Sequence, residues 1–251
     1  MVKSTKKNLY LNTKLKKTHT KPGVWKIAKL PDNNIDIWVP DTKDTRRSAV
    51  VQTHLRNGRW ESRIAKLLKK HTKPDSVAVD VGAFIGSHSY TLSKAVGDKG
   101  KVYCIEPQPW ASSAIDKTLK KNKIRNVVVM NAGISNKKGK IYFCSDSTGG
   151  STICTEKKKR LNSWEERYNI DIITIDSLGL NNVSIMKIDV EGHEISVLDG
   201  ARKTIKRNRP VLIIEVWTKK KGKYDEFKRI MKELDYNITK VASEDFLCIP
   251  K

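Results

Sequence analysis

Short apolar runs alternate with amphipathic stretches along most of the chain. Val77-Ala-Val-Asp-Val81, Lys101-Val-Tyr-Cys-Ile-Glu106, Val127-Val-Val-Met130, Ser184-Ile-Met-Lys-Ile-Asp189 and Pro210-Val-Leu-Ile-Ile-Glu215 are each bounded by polar or turn residues. Near-continuous apolar runs of this length fit strands covered on both faces. Between them, Leu92, Ala95 and Val96, then Ala111, Ala114, Ile115 and Leu119, then Ile195, Val197 and Leu198 recur at helical spacing. Phe227, Ile230, Met231 and Leu234 mark a last helix, and Gly97 and Gly200 read as helix stops. Earlier, 25–30 and 35–39 alternate around Pro31-Asp-Asn-Asn34, the signature of a hairpin. Ile64, Leu67 and Leu68 then give a helix that Pro74-Asp75 ends. Short extra strands are predicted at 140–144 and 172–175, and closing strands at 236–241 and 246–249. Strands alternating with helices predict an α/β fold with a mostly parallel sheet and helices on both faces.

Two stretches break the pattern. Residues 1–22 are rich in lysine, contain no acid and have few large apolar residues. They read as a basic, mobile arm able to touch a polyanion. Residues 145–169 include Ser145-Asp-Ser-Thr-Gly-Gly-Ser-Thr152 and the block Lys157-Lys-Lys-Arg160. A long polar loop in a compact domain predicts a lid that faces substrate. The expected organisation is the arm, then residues 23–73 as a hairpin and helix packed on the core, then an α/β domain over 74–251.

Charge widens the range of partners. Fifty Lys and Arg against 27 Asp and Glu leave +23, which suggests an anionic partner or surface. The lysines are spread over the whole chain, so a solubilising surface explains them as well. No apolar run approaches a membrane span. No apolar block follows the N-terminal lysines, so a secretory leader is not expected. Cys104, Cys144, Cys154 and Cys248 form no Cys-x-x-Cys pair, and reduced thiols in a cytoplasmic setting are the simplest expectation.

Candidate chemistry gathers at the carboxyl ends of the apolar runs. Asp80, Gly82 and Gly86 stand as Asp-x-Gly-x-x-x-Gly between a strand and the helix that Ser87 opens. A strand that passes through glycines into a helix N-terminus is a ligand cradle. The spacing is not the Gly-x-Gly-x-x-Gly of dinucleotide binders, and no Lys-Ser/Thr follows as in triphosphate loops. Glu106 closes the second strand, where a carboxylate can accept from both hydroxyls of a ribose. Asp189 and Glu215 close the fourth and fifth core strands. In an open α/β sheet this edge is where ligands sit.

The segments Val-Asp-Val-Gly-Ala-Phe-Ile-Gly, Ile-Glu-Pro-Gln-Pro, Lys-Ile-Asp-Val-Glu-Gly-His-Glu and Pro-Val-Leu-Ile-Ile-Glu resemble the FkbM family of S-adenosylmethionine-dependent O-methyltransferases. The likeness runs from about Gly58 to about Trp217, and Ile188-Asp-Val-Glu-Gly192 is its most diagnostic part. It implies the class I methyltransferase, Rossmann-like fold, with seven strands of which one is antiparallel. It also implies S-adenosyl-L-methionine as cofactor. Asp80, Gly82 and Gly86 would line its methionine and ribose side, Glu106 its ribose and Asn131 with Ala132 its adenine. Glu61 would close over the methionine, His88 would touch its carboxylate end and Asp189 would sit beside the sulfonium. The implied acceptor is a hydroxyl, most often of a sugar or glycan.

Asp189, Glu191, His193 and Glu215 are the groups that can take the acceptor's proton, and the residues leave open which one does. His193 has the ordinary pKa best suited to a base near neutrality. No resident metal is expected, although Asp189, Glu191 and His193 also spell an Asp-x-Glu-x-His ligand set. Two other readings compete. The basic balance suggests a nucleic-acid methyltransferase or an RNA-tethered enzyme. Against it, the chain has Asp-Val-Glu-Gly where base methylases carry Asn/Asp-Pro-Pro-Tyr, and Glu215 where ribose methylases need a lysine. A non-catalytic cofactor-binding module would keep the fold without the acids, and the acids are present.

Overall fold

The computed structural model describes residues 25–31, 34–41, 48–56, 58–145, 151–154, 166–218 and 222–251. The basic arm and the Lys157-Lys-Lys-Arg160 block lie outside the described residues. In chain order the hairpin β1 (Trp25–Leu30) and β2 (Ile35–Pro40) is followed by α1 (Ala49–Leu55) and α2 (Ser62–His71). Next come β3 (Val77–Val81), α3 (Ser87–Val96), β4 (Lys101–Ile105), α4 (Pro109–Lys121) and β5 (Val127–Met130). Four strands then form a sheet of their own: β6 (Gly133–Ile134), β7 (Gly139–Ser145), β8 (Ser151–Cys154) and β9 (Glu166–Ile173). The chain returns to the main sheet with β10 (Val183–Ile188), α5 (Glu194–Asp199), α6 (Arg202–Asn208) and β11 (Val211–Glu215). It ends with α7 (Lys223–Glu233), β12 (Tyr236–Lys240) and β13 (Asp245–Pro250).

The main sheet has seven strands in the order β12-β13-β11-β10-β3-β4-β5. β13 pairs antiparallel with both neighbours, whereas β11, β10, β3, β4 and β5 pair parallel. This is the expected sheet with its one antiparallel strand. From β3 the chain steps outward through β4 and β5, then restarts at β10 on the other side of β3. Connections leave the two strands in opposite directions, and a crevice opens at their carboxyl ends.

Side chains alternate between the two faces of a strand. Val79, Val81, Met186, Ile188, Leu212 and Ile214 face one buried cluster, together with α5, α6 and α7. Ala78, Ile185 and Ile213 face another, with Ile64, Leu68, Leu92 and Val96 of α2 and α3. Asp80, Lys187 and Glu215 share the parity of that second set. They therefore emerge on the α2–α3 side, at the end of the strands where the helices leave room. The β1–β2 hairpin packs on α4 through a third cluster. Asn122 clamps it there, accepting from Asp36 N–H at 3.0 Å and donating to Asp36 O at 2.6 Å.

Several expectations change. The 145–169 stretch is not a plain loop: β8 lies within it and β9 begins in it, pairing antiparallel with β7 from Gly139↔Ile172 onward. The polar residues between these strands hid the pairing, because a twisted hairpin with one solvated face needs few apolar positions. β5 was expected to be covered on both faces but is the edge of the sheet, and Val128 is 37% exposed. α1 was not anticipated. Ala49-Val-Val-Gln-Thr is weak in helical propensity, yet Ser48 caps it by accepting from Val51 N–H and Val51 is fully buried. Cys104 and Cys248 are free and buried, as expected of reduced thiols, but Cys144 is disulfide-bonded. Among the described residues no helix is long and apolar enough to cross a membrane.

Candidate active site

The crevice between β3 and β10 holds a cavity of about 390 Å³, in the range of small-molecule and cofactor pockets. The turn after β3 makes its floor. Gly82 has φ +82°, and a Cβ there would overlap the carbonyl of Asp189, so only glycine lets the two strand ends close. Phe84, Glu61 and Glu191 also line the cavity, and each has positive φ, at 49°, 42° and 55°. Non-glycine residues rarely hold this conformation, and such strain collects at functional sites.

At the β4 end, Glu106 is the organising group. It is 4% exposed and lines the cavity. Its Oε2 accepts from Phe84 N–H and its Oε1 from Gln108 N–H, both at 2.7 Å. Burial pushes the carboxyl up to about 8, although the two N–H groups pull the other way. Asn131 donates to the carbonyls of Glu106 and Pro107 at 2.9 and 3.0 Å, which pins the loop carrying the acid. Gln108 also lines the cavity, and its buried Oε1 has no partner among the described residues.

At the α3 end, Asp80 is 1% exposed and accepts at Oδ2 from the Ser89 hydroxyl at 2.6 Å. Its Oδ1 has no partner among the described residues. Glu61, at the N-cap of α2, meets His88 Nε2 at 2.8 Å. Burial tends to raise the Glu61 carboxyl, but the His88 hydrogen bond and the charge of Lys187 hold it below its ordinary value. Asp80 and Gln108, at the two ends of the cavity, thus each keep a buried side-chain oxygen without a partner among the described residues, a hydrogen-bonding capacity that a ligand or water could meet.

Between these ends lies a cluster that strand register explains. Lys187 pairs across β10–β3 with Asp80, and Glu215 sits one step beyond the Ile188↔Ile214 pair, beside Asp189. Lys187 is 3% exposed and donates to Asp189 Oδ2 at 2.7 Å. Burial disfavours its charge, but Asp189, Asp80 and Glu61 together raise its pKa above the ordinary value. Asp189 responds in the opposite sense: burial opposes its charge, yet the Lys187 ammonium holds it ionised and below the usual range. Glu215 is pushed up, first by burial and then by the negative charge of Asp189 and Glu191.

Asp189, Glu191 and Glu215 each bring a carboxylate oxygen within 4.8 Å of the others. This donor set could accept a divalent cation, with the Lys187 ammonium already on one side of it. The Asp-x-Glu-x-His set of the sequence is not assembled. His193 lines the cavity but its Nε2 turns to Ser135 Oγ at 3.0 Å, and burial with the nearby Lys223 lowers its pKa.

Thus Glu61, Asp80, Gly82, His88, Glu106, Ala132, Asp189, Glu191, His193 and Glu215 all line one cavity. Gly86 and Asn131 do not. A Cβ on Gly86 would press on the Tyr90 ring, so this glycine serves the packing of α3, and Asn131 acts on backbone. Sequence reasoning passed over Lys187, Gln108, Ser87 and Phe143. For Lys187 a signal was present, since a lysine inside an apolar strand two residues before an acid shares its face. Phe143, on β7, was out of reach because nothing local says that the small sheet folds over the crevice.

Residues 80–238 match the model of the methyltransferase FkbM domain. The hexuronic acid methyltransferase AglP of Haloferax volcanii is 31% identical over 153 residues, 58% of this chain and 58% of its own length. The probable cobalt-precorrin-6B C(15)-methyltransferase (decarboxylating) of Sulfolobus acidocaldarius is 28% identical over 192 residues, 70% of this chain and 95% of its own. A solved methyltransferase FkbM from Methylobacillus flagellatus superposes with a TM-score of 0.51 at 20% identity, covering 82% of this chain and 56% of that one. That superposition places the sheet among the class I methyltransferase folds. The chain therefore spans little more than half the length of the hexuronic acid enzyme and of the solved FkbM protein.

Proposed function

The chain belongs to the FkbM methyltransferase family, and from that premise we propose that it is an S-adenosyl-L-methionine-dependent O-methyltransferase acting on a hydroxyl of a sugar or glycan. The observation that carries this reading is the single cavity that joins a Glu106-type nucleoside end to the Asp189–Glu191–Glu215 carboxylates. The orphaned oxygens of Asp80 and Gln108 suit a ligand rich in N–H and O–H donors. Glu106 would accept from the two ribose hydroxyls, and Asp80 from an amino group. When bound, the cofactor supplies an electrophilic methyl group on a sulfonium sulfur.

The chain's own residues supply alignment and a proton acceptor. Asp189, held anionic by Lys187, can accept the acceptor's O–H and fix its oxygen in the crevice. Glu215, beside it, has the higher proton affinity of the pair and is the group on which the released proton ends. His193, paired with Ser135 and depressed in pKa, is the weaker base. Phe143, Ile141 and Ile170 bring apolar surface from the small sheet, suited to the C–H face of a sugar ring and to keeping water from the reaction. The sugar class draws on the hexuronic acid relative and on these surfaces together. A methyl-transfer screen with labelled cofactor against glycans, RNA and small alcohols tests it. Turnover that requires RNA would overturn the reading.

Glu106 makes a second, pH-resolved test. A carboxyl with a pKa of about 8 must give up its proton to accept from ribose hydroxyls. Affinity for S-adenosylhomocysteine should therefore rise with pH, by at most about tenfold per unit, up to about pH 8 and then level off. Glu106→Gln should lose about a hundredfold or more in affinity, since hydrogen bonds to a charged group contribute about 1.5–3 kcal/mol each. It should also lose the pH slope. Calorimetric titration in buffers of different ionisation heat reads both, and an affinity independent of pH in the wild type would refute the role.

A further inference from the structure

Helix α1 lies ahead of residue 80, where the family match begins, yet it forms part of the cavity wall through Ala49 and Val50. Behind that wall sits His54, fully buried, with Nε2 at 2.6 Å from Ser87 Oγ. Ser87 itself lines the cavity and opens α3. The other ring nitrogen, Nδ1, has no partner among the described residues. Burial, with a smaller contribution from His88, lowers the His54 pKa to about 4, so the ring is neutral at physiological pH.

A neutral imidazole carries one proton, and the two placements are not equivalent. With the proton on Nδ1, a buried N–H donor is orphaned. With it on Nε2, that N–H donates to Ser87 Oγ, and only a bare nitrogen acceptor goes unpaired. The Nε2–H tautomer leaves no buried donor orphaned, and it has a consequence for the serine. Ser87 Oγ accepts from behind, so its own proton is free to point forward into the cavity. It does so at the first turn of α3, where Gly86 provides no capping side chain and the helix dipole favours negative charge.

Asp80 lines the same cavity as Ser87, and its carboxyl group is an acceptor there for N–H donors. A hydroxyl committed to donating, beside an anion committed to accepting, matches the two ends of an α-amino acid. We propose that His54 is a positioning residue that commits the Ser87 hydroxyl to donate into the cavity, and that the α3 end thereby recognises the carboxylate of the cofactor's methionine moiety. This assignment rests on the cofactor reading above.

Binding of S-adenosylhomocysteine and of 5′-methylthioadenosine, which keeps the nucleoside and thioether but lacks the amino acid, separates positioning from folding. In the full chain, Ser87→Ala and His54→Leu should each weaken S-adenosylhomocysteine about tenfold and leave 5′-methylthioadenosine within twofold. His54→Gln, whose amide N–H can stand near the Nε2 position, should recover most of the loss. Decarboxylated S-adenosylmethionine should bind wild type and Ser87→Ala equally. The assignment is overturned if both nucleosides weaken in parallel, as a structural role would require, or if S-adenosylhomocysteine is unaffected by both substitutions. Should His54→Leu fail to fold in a thermal melt, Ser87→Ala and His54→Gln decide the matter by the same ratios. Wild-type protein that binds neither nucleoside would refute the cofactor reading and this assignment together, whereas normal 5′-methylthioadenosine binding with unchanged ratios would refute only the latter.

Discussion

Replacing Lys187 by methionine should destabilise the protein by about 3–5 kcal/mol at pH 7, the usual loss when one partner of a buried ion pair is removed. Methionine matches the aliphatic stem in length, so the loss reports the charge and not a cavity. Lys187 acts on three carboxylates, those of Asp189, Asp80 and Glu61, and its side chain is almost wholly buried. Without it these groups must either stay charged against one another or take up protons.

The pH dependence follows from the two shifts. The raised Lys187 pKa contributes stability that is present below its unfolded value and lost only at strongly alkaline pH. The depressed Asp189 pKa contributes stability that is present above its unfolded value of about 3.8 and lost as pH falls through the folded one. Between those limits the pair is intact. The gap between wild type and Lys187→Met should therefore hold from about pH 4 to 9 and narrow only as pH falls below about 3.8 toward the depressed Asp189 value. Urea denaturation at pH 7 and at about pH 2.5 measures it. A variant as stable as wild type at pH 7 would mean that the carboxylates are already protonated in the native state.

Glu215→Gln should lower kcat by about 10²–10⁴, the range for loss of general acid–base assistance. Affinity for S-adenosylhomocysteine should stay within about threefold, because the contacts proposed for the nucleoside and the amino acid lie elsewhere along the cavity. Glu215 must be ionised to receive a proton, and burial with Asp189 and Glu191 raises its pKa. Wild-type activity should thus climb as pH rises through neutrality, and the substitution should flatten that limb. Single-turnover rates across pH 6–10 would read this. A Glu215→Gln enzyme that keeps both its rate and its acid limb would move the proton acceptor to Asp189 or Glu191.

Much of this site could be read from local sequence. The alternation of apolar strand and amphipathic helix was legible because a strand shielded on both faces is built almost wholly of apolar residues. Acids at the ends of such strands stand out against that background, which is why Asp80, Glu106, Asp189 and Glu215 were found without a structure. Their common edge follows from parallel connection alone.

Other features belong to no local pattern. Glu61 and His88 meet only because α2 and α3 pack side by side. The 145–169 stretch looks like a loop because its strands satisfy their backbone through β7 and not through an apolar signal of their own. Gly86 reads as a ligand glycine, and only the position of Tyr90 shows that it makes room for packing.

By itself, the sequence determined the mostly parallel α/β sheet, the four strand-end acids and the family, and the family resemblance implied the one antiparallel strand. The first two depend on periodicity, and the resemblance depends on motifs of residues close together along the chain. Only the tertiary structure decided how the acids are charged and what stands behind them. A carboxylate's proton affinity depends on what lies within a few ångströms in a low-dielectric interior. For Asp189 that neighbour is Lys187, for Glu215 it is Asp189, and for the Ser87 hydroxyl it is His54, 33 positions away. Such neighbours are brought together by packing and strand register, which no single stretch of the chain contains.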